Sequence, residues 1–152
     1  MRTTLRLALA AALLALLSIA ASAQSNDNLI VPGQRIGPTY IGMTLAQLYK
    51  ALGKPNRTLN MGEDIYYYYD SLMAETDGQT VWGLITSSKN FRTEKGLGVG
   101  AQDLEVRALM GNPTCANASG EKTQLVYGAM AFLINQDGSV VEILVRRRPP
   151  CG

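Results

Sequence analysis

GMTLAQLYKALGKP, residues 42–55, returns 58 positions later as GAQDLEVRALMGNP, residues 100–113. Gly42, Gly53 and Pro55 fall on Gly100, Gly111 and Pro113 without a gap, and apolar Ile41, Leu48 and Leu52 fall on Val99, Val106 and Met110. A second echo follows at an offset of 60, where Asp77–Ile85 (DGQTVWGLI) matches Asp137–Val145 (DGSVVEILV). Self-similarity at a fixed period marks a repeated structural unit. The sequence thus predicts two copies of one small unit, roughly residues 36–90 and 91–152 of a single domain spanning 36–152.

The repeated stretch reads as a helix with its own start and stop signals. Thr44 with Gln47 three residues on forms a capping box. Leu45, Leu48, Tyr49 and Leu52 then fall on one helical face. Gly53 suits a positive φ and Pro55 blocks continuation. In the second copy Gln102 stands where Thr44 stood, so the start is weaker, although Asp103 and Glu105 favour the helix dipole. Its expected apolar face is Val106, Leu109 and Met110, joined by Leu104. Leu48, Leu52, Val106 and Met110 are the residues expected to be buried against a sheet. Helices of about three turns do not persist alone in water, so each needs that sheet.

The expected sheet follows each helix. DIYYYYD at Asp64–Asp70 favours a strand, Leu72–Glu75 a second, and Val81–Thr86 a third after the Asp77-Gly78 hairpin signal. The later copy offers Gln124–Tyr127, Ala129–Asn135 and, after Asp137-Gly138, Val140–Arg146. The predicted class is α+β: a tandem duplication of a helix–three-strand unit forming one antiparallel sheet, with both short helices on one face. The opposite face is left to water or a partner. Ahead of this lie short extended pieces around Ile30, Val31, Ile36 and Ile41 leading into the first helix, the first two of them within a flexible segment at 24–35.

A motif of the form G-M-T/S-x-x-x-h-x-x-x-h-G-x-P followed by meandering strands resembles the small outer-membrane assembly lipoproteins of the SmpA/OmlA type. It is also similar to the β-lactamase inhibitory proteins, which are built from two such units. The carriers here are Gly42, Met43, Thr44, Leu48, Leu52, Gly53 and Pro55, with their second-copy equivalents. Phe91–Gly100 (FRTEKGLGVG) is similar to a stretch recurring in bacterial exported proteins of unknown function. The resemblance implies a binding or scaffolding module rather than an enzyme. It brings no catalytic residues, and this chain lacks the lipid-bearing Cys of the lipoproteins.

Residues 1–23 read as a signal peptide, with Arg2 and Arg6 before the Leu/Ala run Leu7–Ala21 and an A-x-A site at Ala21-Ser22-Ala23. That run is shorter than a spanning helix requires, so no transmembrane segment is expected after cleavage. Of 14 basic residues, removal of Arg2 and Arg6 leaves 12 against 12 acidic ones, a neutral chain that argues against nucleic acid as its partner. The sequence has no His, which removes Ser-His-Asp and Cys-His catalysis and the usual zinc sites. Gly96–Gly100 precedes a helix but lacks the G-x-x-x-x-G-K-[ST] ending of a phosphate loop. The carboxylate pairs Glu63/Asp64, Glu75/Asp77 and Asp103/Glu105 read as solvated surface. No catalytic residue, metal ligand or cofactor is expected.

Two groups remain. Cys115 and Cys151, the only cysteines, most simply form a disulfide in an exported protein, with free thiols or an intermolecular bond as alternatives. The aromatic run is the other. Strand alternation places Ile65, Tyr67 and Tyr69 on one face and Tyr66 and Tyr68 on the other. With Ile65 inward, Tyr66 and Tyr68 point outward and, with Trp82, form a candidate partner surface. The competing reading is ordinary strand packing. Arg146, Arg147 and Arg148 could add an anion-binding rim or form a solvated strand end. The reading is a periplasmic or secreted non-catalytic module that binds an envelope or secreted protein through an open sheet face; the alternative is an inhibitor of a secreted enzyme such as a β-lactamase. N-terminal sequencing of the exported protein is expected to begin at Gln24; material still beginning at Met1 would contradict the signal reading.

Overall fold

The computed structural model describes residues 27–147 and Cys151; the predicted signal peptide at 1–23 and Arg148 lie outside them. Among the described residues the fold is mainly β, 46% strand against 13% helix, which corrects the expected α+β helix–three-strand duplication. Among these residues two sheets form instead of one, of four and eight strands.

The small sheet contains β1 (Leu29–Val31), β2 (Arg35–Ile36), β3 (Thr39–Tyr40) and β8 (Arg92–Thr93) in the order β3-β2-β1-β8. β1 pairs antiparallel with β2 and parallel with β8. Of the segment 24–35, expected as flexible, Leu29–Val31 and Arg35 are strand residues of this sheet, and residues 24–26 lie outside the described residues. Ile30 and Ile36 are buried at 1% and 0% exposure, and the burial of such side chains holds these short strands in place.

Helix α1 (Leu45–Leu52) is followed by β4 (Arg57–Met61), β5 (Asp64–Tyr68), β6 (Met73–Thr76) and β7 (Val81–Thr86). Helix α2 (Asp103–Met110) is followed by β9 (Cys115–Ser119), β10 (Lys122–Tyr127), β11 (Met130–Ile134) and β12 (Val140–Arg146). The large sheet runs β4-β5-β6-β7-β12-β11-β10-β9. Each helix thus precedes four strands, not three. The added strands are its two edges, β4 and β9. RTLNM is exposed at every position, so it carries none of the period-two burial from which a strand is read.

The helix ends obey the local signals. Gln47 N–H donates to the Thr44 hydroxyl and the Thr44 N–H donates to Gln47 Oε1, closing the capping box. Gln102 makes no side-chain cap. Both helices end at glycines of matching positive φ, 79° at Gly53 and 80° at Gly111, a backbone that disfavours residues with a Cβ. The approach to each helix is tied to its sheet by corresponding bonds. Gly42 N–H donates to Val81 O (2.7 Å) and Gly100 N–H to Val140 O (2.8 Å). Val81 N–H returns to Met43 O (2.9 Å) and Val140 N–H to Ala101 O (2.8 Å).

Both helices and the small sheet contribute to one core on a single face of the large sheet. Leu48 from α1 and Val106 from α2 are fully buried there, with Ile30, Ile36, Tyr67, Leu84, Phe132 and Val145. Leu52 and Met110 are only partly buried against it. Leu104 and Leu109, expected on the apolar face of α2, are 82% and 43% exposed. An eight-residue helix resting on a sheet buries a narrow stripe, and Val106 occupies it.

Cys115 and Cys151 are joined, with Cα atoms 6.3 Å apart. A disulfide of this kind belongs to an oxidising compartment and marks an exported chain. Closing a loop with a sequence separation of 36 contributes up to about 4 kcal/mol in the chain-entropy account. Leu48→Ala is expected to destabilise the fold by about 2–5 kcal/mol in urea titration. Leu104→Ala, at the exposed position, is expected to stay within about 0.5 kcal/mol of the parent; the opposite ranking would mean the helix register is wrong.

Candidate functional site

The face of the large sheet away from the helices is organised in cross-strand rows. Strand pairing sets Arg57, Tyr68, Met73, Ile85, Leu144, Ala131, Val126 and Cys115 side by side, one from each strand in sheet order. A neighbouring row runs Leu59, Tyr66, Glu75, Gly83 and Arg146. Directly opposed side chains in such rows are in contact range.

The second row carries an ion pair across the centre of the sheet. Arg146 Nε donates to Glu75 Oε2 at 2.9 Å and Nη2 to Oε1 at 2.7 Å. The Glu75 side chain is 2% exposed and that of Arg146 28%. Gly83 lies between them on the central strand. A Cβ at that position would collide with the Glu75 carboxylate, so only glycine leaves room for the two side chains to meet. Burial pushes the Glu75 carboxyl above its ordinary value, and the hydrogen bonds and charge of Arg146 pull it back.

Aromatic rings flank this pair. The Arg146 guanidinium carbon lies 5.4 Å from the centre of the Trp82 ring, within cation–π range. The register of β6 on β7 shifts beside Trp82, with Glu75 opposite Gly83 but Thr76 opposite Val81. This bulge sets Trp82 beside Arg146. On the outer side Arg57 lies 4.1 Å from the Tyr68 ring centre. Burial and then the nearby Glu75 charge raise the Tyr66 hydroxyl. Tyr66 and Tyr68 are half-buried whereas Tyr67, on the helix side, is buried and packs edge-on against Tyr49. Tyr69 is held by burial at a pKa of about 12, and its hydroxyl has no hydrogen-bond partner among the described residues.

The face is not uniform. Towards β9 it carries a second apolar cluster of Val126, Ala131, Leu133 and Leu144, against which Cys115 and Cys151 pack. Towards β4 it is exposed, and a cleft of about 330 Å³ opens across β5, β6, β7 and β12 over Tyr68, Tyr69, Leu72, Met73, Ile85, Ser87 and Glu142. The tyrosine-bearing half is thus the less buried of the two.

Of the residues singled out in the sequence, Tyr66, Tyr68, Trp82 and Arg146 come together. Arg146 and Arg147 do not form one patch. Arg146 is neutralised by Glu75, while Arg147 donates its N–H to Trp82 O and sets its guanidinium beside Gly42 at the helix approach. Alternation at the end of β12 splits Arg146 and Arg147 between the two sides of the sheet. Glu75, read as solvated, is buried at the centre. Its signal was Gly83 inside VWGLIT, since an isolated strand glycine marks a close approach. Arg57 was missed along with β4. Among the described residues no helix is long and apolar enough to cross a membrane.

The sequence matches no protein-family model and no curated protein. The fold does have relatives among solved structures. The uncharacterized protein YfeY of Escherichia coli aligns with TM-score 0.57 and 12% identity, over 77% of this chain and 99% of that one. A DUF4309 family protein, YjgB of Bacillus subtilis, aligns with TM-score 0.53 and 15% identity, over 68% and 77%. A cysteine-rich secretory protein of Staphylococcus aureus aligns with TM-score 0.53 and 14% identity, over 80% of this chain and 48% of its own length. At these identities the likeness is one of fold.

Removing the arginine should expose the cost of the buried carboxylate. Arg146→Met is expected to destabilise the protein by about 3 kcal/mol at neutral pH. The folded Glu75 carboxyl is raised above its ordinary 4.5, so the folded state holds its proton more tightly and loses stability as pH rises from the unfolded value through the folded one. Without Arg146 the carboxyl rises further. The deficit of the variant should therefore be small near pH 4 and widen towards pH 7 in denaturation curves. A deficit independent of pH would assign the loss to packing alone.

Proposed function

We propose that this chain is an exported, non-catalytic binding module that engages a protein partner through the tyrosine-bearing half of its helix-free sheet face. The supporting observation is the cluster of Tyr66, Tyr68 and Trp82, held by neighbouring arginines on a rigid antiparallel sheet. Aromatic rings fixed in place lose little entropy on association and serve as interface anchors. The adjoining cleft over Met73 and Ile85 gives a partner side chain an apolar seat. Cleavage follows Ala23 in this reading, and the mature protein works in the periplasm or outside the cell on an envelope or secreted protein. The resemblance to the outer-membrane assembly lipoproteins and β-lactamase inhibitory proteins supports the same role, a scaffold for recognition.

The test combines capture with stability. Immobilised protein is exposed to envelope extract and to secreted fractions, and Tyr66→Ala with Tyr68→Ala is compared with the parent. Loss of an anchor aromatic commonly costs more than about 2 kcal/mol, roughly thirtyfold in affinity. The double variant is expected to lose its captured protein while its melting temperature stays close to that of the parent. Capture of assembly proteins would assign an envelope module, and capture of one soluble enzyme whose activity falls on binding would assign an inhibitor. Unchanged capture by the variant would remove the tyrosines from the interface.

A further inference from the structure

We propose that β4 is a self-association edge, through which two copies of this chain pair β4 with β4 antiparallel about Leu59 and join their eight-stranded sheets into one. β4 ends the large sheet, and all five of its residues are exposed. Among the described residues, its backbone is bonded to β5 alone. Its outer row of N–H and C=O groups is therefore a template for another strand.

Edges that must stay single usually carry a lysine, a proline, a bulge or an inward charge. β4 has none of these. Its five pairs with β5, from Arg57↔Tyr68 to Met61↔Asp64, run without a register shift. Its one charge, Arg57, is folded back over Tyr68 of its own sheet. Two large apolar side chains stand at this edge, Leu59 at 39% and Met61 at 64% exposure. The opposite edge, β9, offers the small side chains of Ala116 and Ala118 and is fastened by the disulfide at Cys115.

The choice of a second copy follows from the register. Arg57, Leu59 and Met61 share the helix-free side, and Thr58 and Asn60 the helix side, by alternation. A two-fold axis through Leu59, normal to the sheet, keeps both helix layers on the same side. It sets Leu59 against the partner's Leu59, Met61 against the aliphatic stem of the partner's Arg57, and Thr58 against the partner's Asn60. Apolar groups meet apolar groups, the hydroxyl and amide can exchange hydrogen bonds, and no like charges are opposed. The interface is isologous. A contact of one short strand per copy buries far less than a permanent dimer does, so the association is reversible and depends on concentration.

Sedimentation velocity over a concentration series, with hydrogen exchange at both ends of the series, reads this directly. The purified protein is expected to rise from monomer towards dimer mass as concentration increases, with exchange slowing across residues 57–61. Leu59→Lys should hold the mass at monomer throughout with an unchanged melting temperature, and Met61→Lys, at a more exposed position, gives the same reading if the first variant folds poorly. A mass that stays monomeric over the whole series overturns the proposal. So does a dimer that survives both lysines, or one whose protection falls elsewhere. Self-association is measured with no partner protein present, so its outcome is separate from that of the tyrosine face.

Discussion

Four residue pairs on β7 and β12, Thr86↔Ile143 to Gly83↔Arg146, hold the two halves of the large sheet together. Each half is a four-stranded meander with one short helix, and neither helix could cover such a sheet alone. Pairing at this seam makes a continuous face on which Leu48, Val106 and the small sheet bury a shared core. The Glu75–Arg146 bond spans the same seam with a sequence separation of 71. It adds a charged clasp on one side where Leu84 and Val145 pack on the other. Such a pair adds little net stability over an apolar substitute, but breaking it is costly. Its effect is to penalise any slip of β12 on β7, because a one-residue shift would bring Arg146 to the core side.

The sequence announced its helices clearly and its sheet only in part. Caps at Thr44, Gly53 and Gly111 are local signals that depend on nearby backbone, and the structure uses them in place. Strands whose one face is buried, such as Val81–Thr86 and Val140–Arg146, were legible for the same reason. β4 and β9 were not: β4 is exposed at every position and has no alternation to display, and β9, CANAS, holds small and polar residues of weak strand propensity. The short strands β1 and β2 owe their order to burial of Ile30 and Ile36 beneath distant elements, a tertiary effect that no short window contains.

The candidate site shows the same division. Alternation in DIYYYYD separated Tyr66 and Tyr68 from buried Tyr67, and the structure keeps that separation. The fate of Arg146 and Arg147 depended on what stood across the sheet. Arg146 meets a carboxylate far away in sequence, so a basic run on paper becomes one neutralised side chain and one cation on the other side. Glycine carried the missing information: Gly83 is where two side chains from neighbouring strands converge.

The disulfide also divides the sheet in how it can come apart. The closed loop from Cys115 to Cys151 contains β9, β10, β11 and β12, while β4 to β7 lie outside it. Opening at the seam frees the first four strands as unrestrained chain, but the last four remain tethered and gain less conformational entropy. The half that carries Tyr66 and Tyr68 is thus the one whose order rests on packing and strand pairing alone, and the cross-linked half is its anvil.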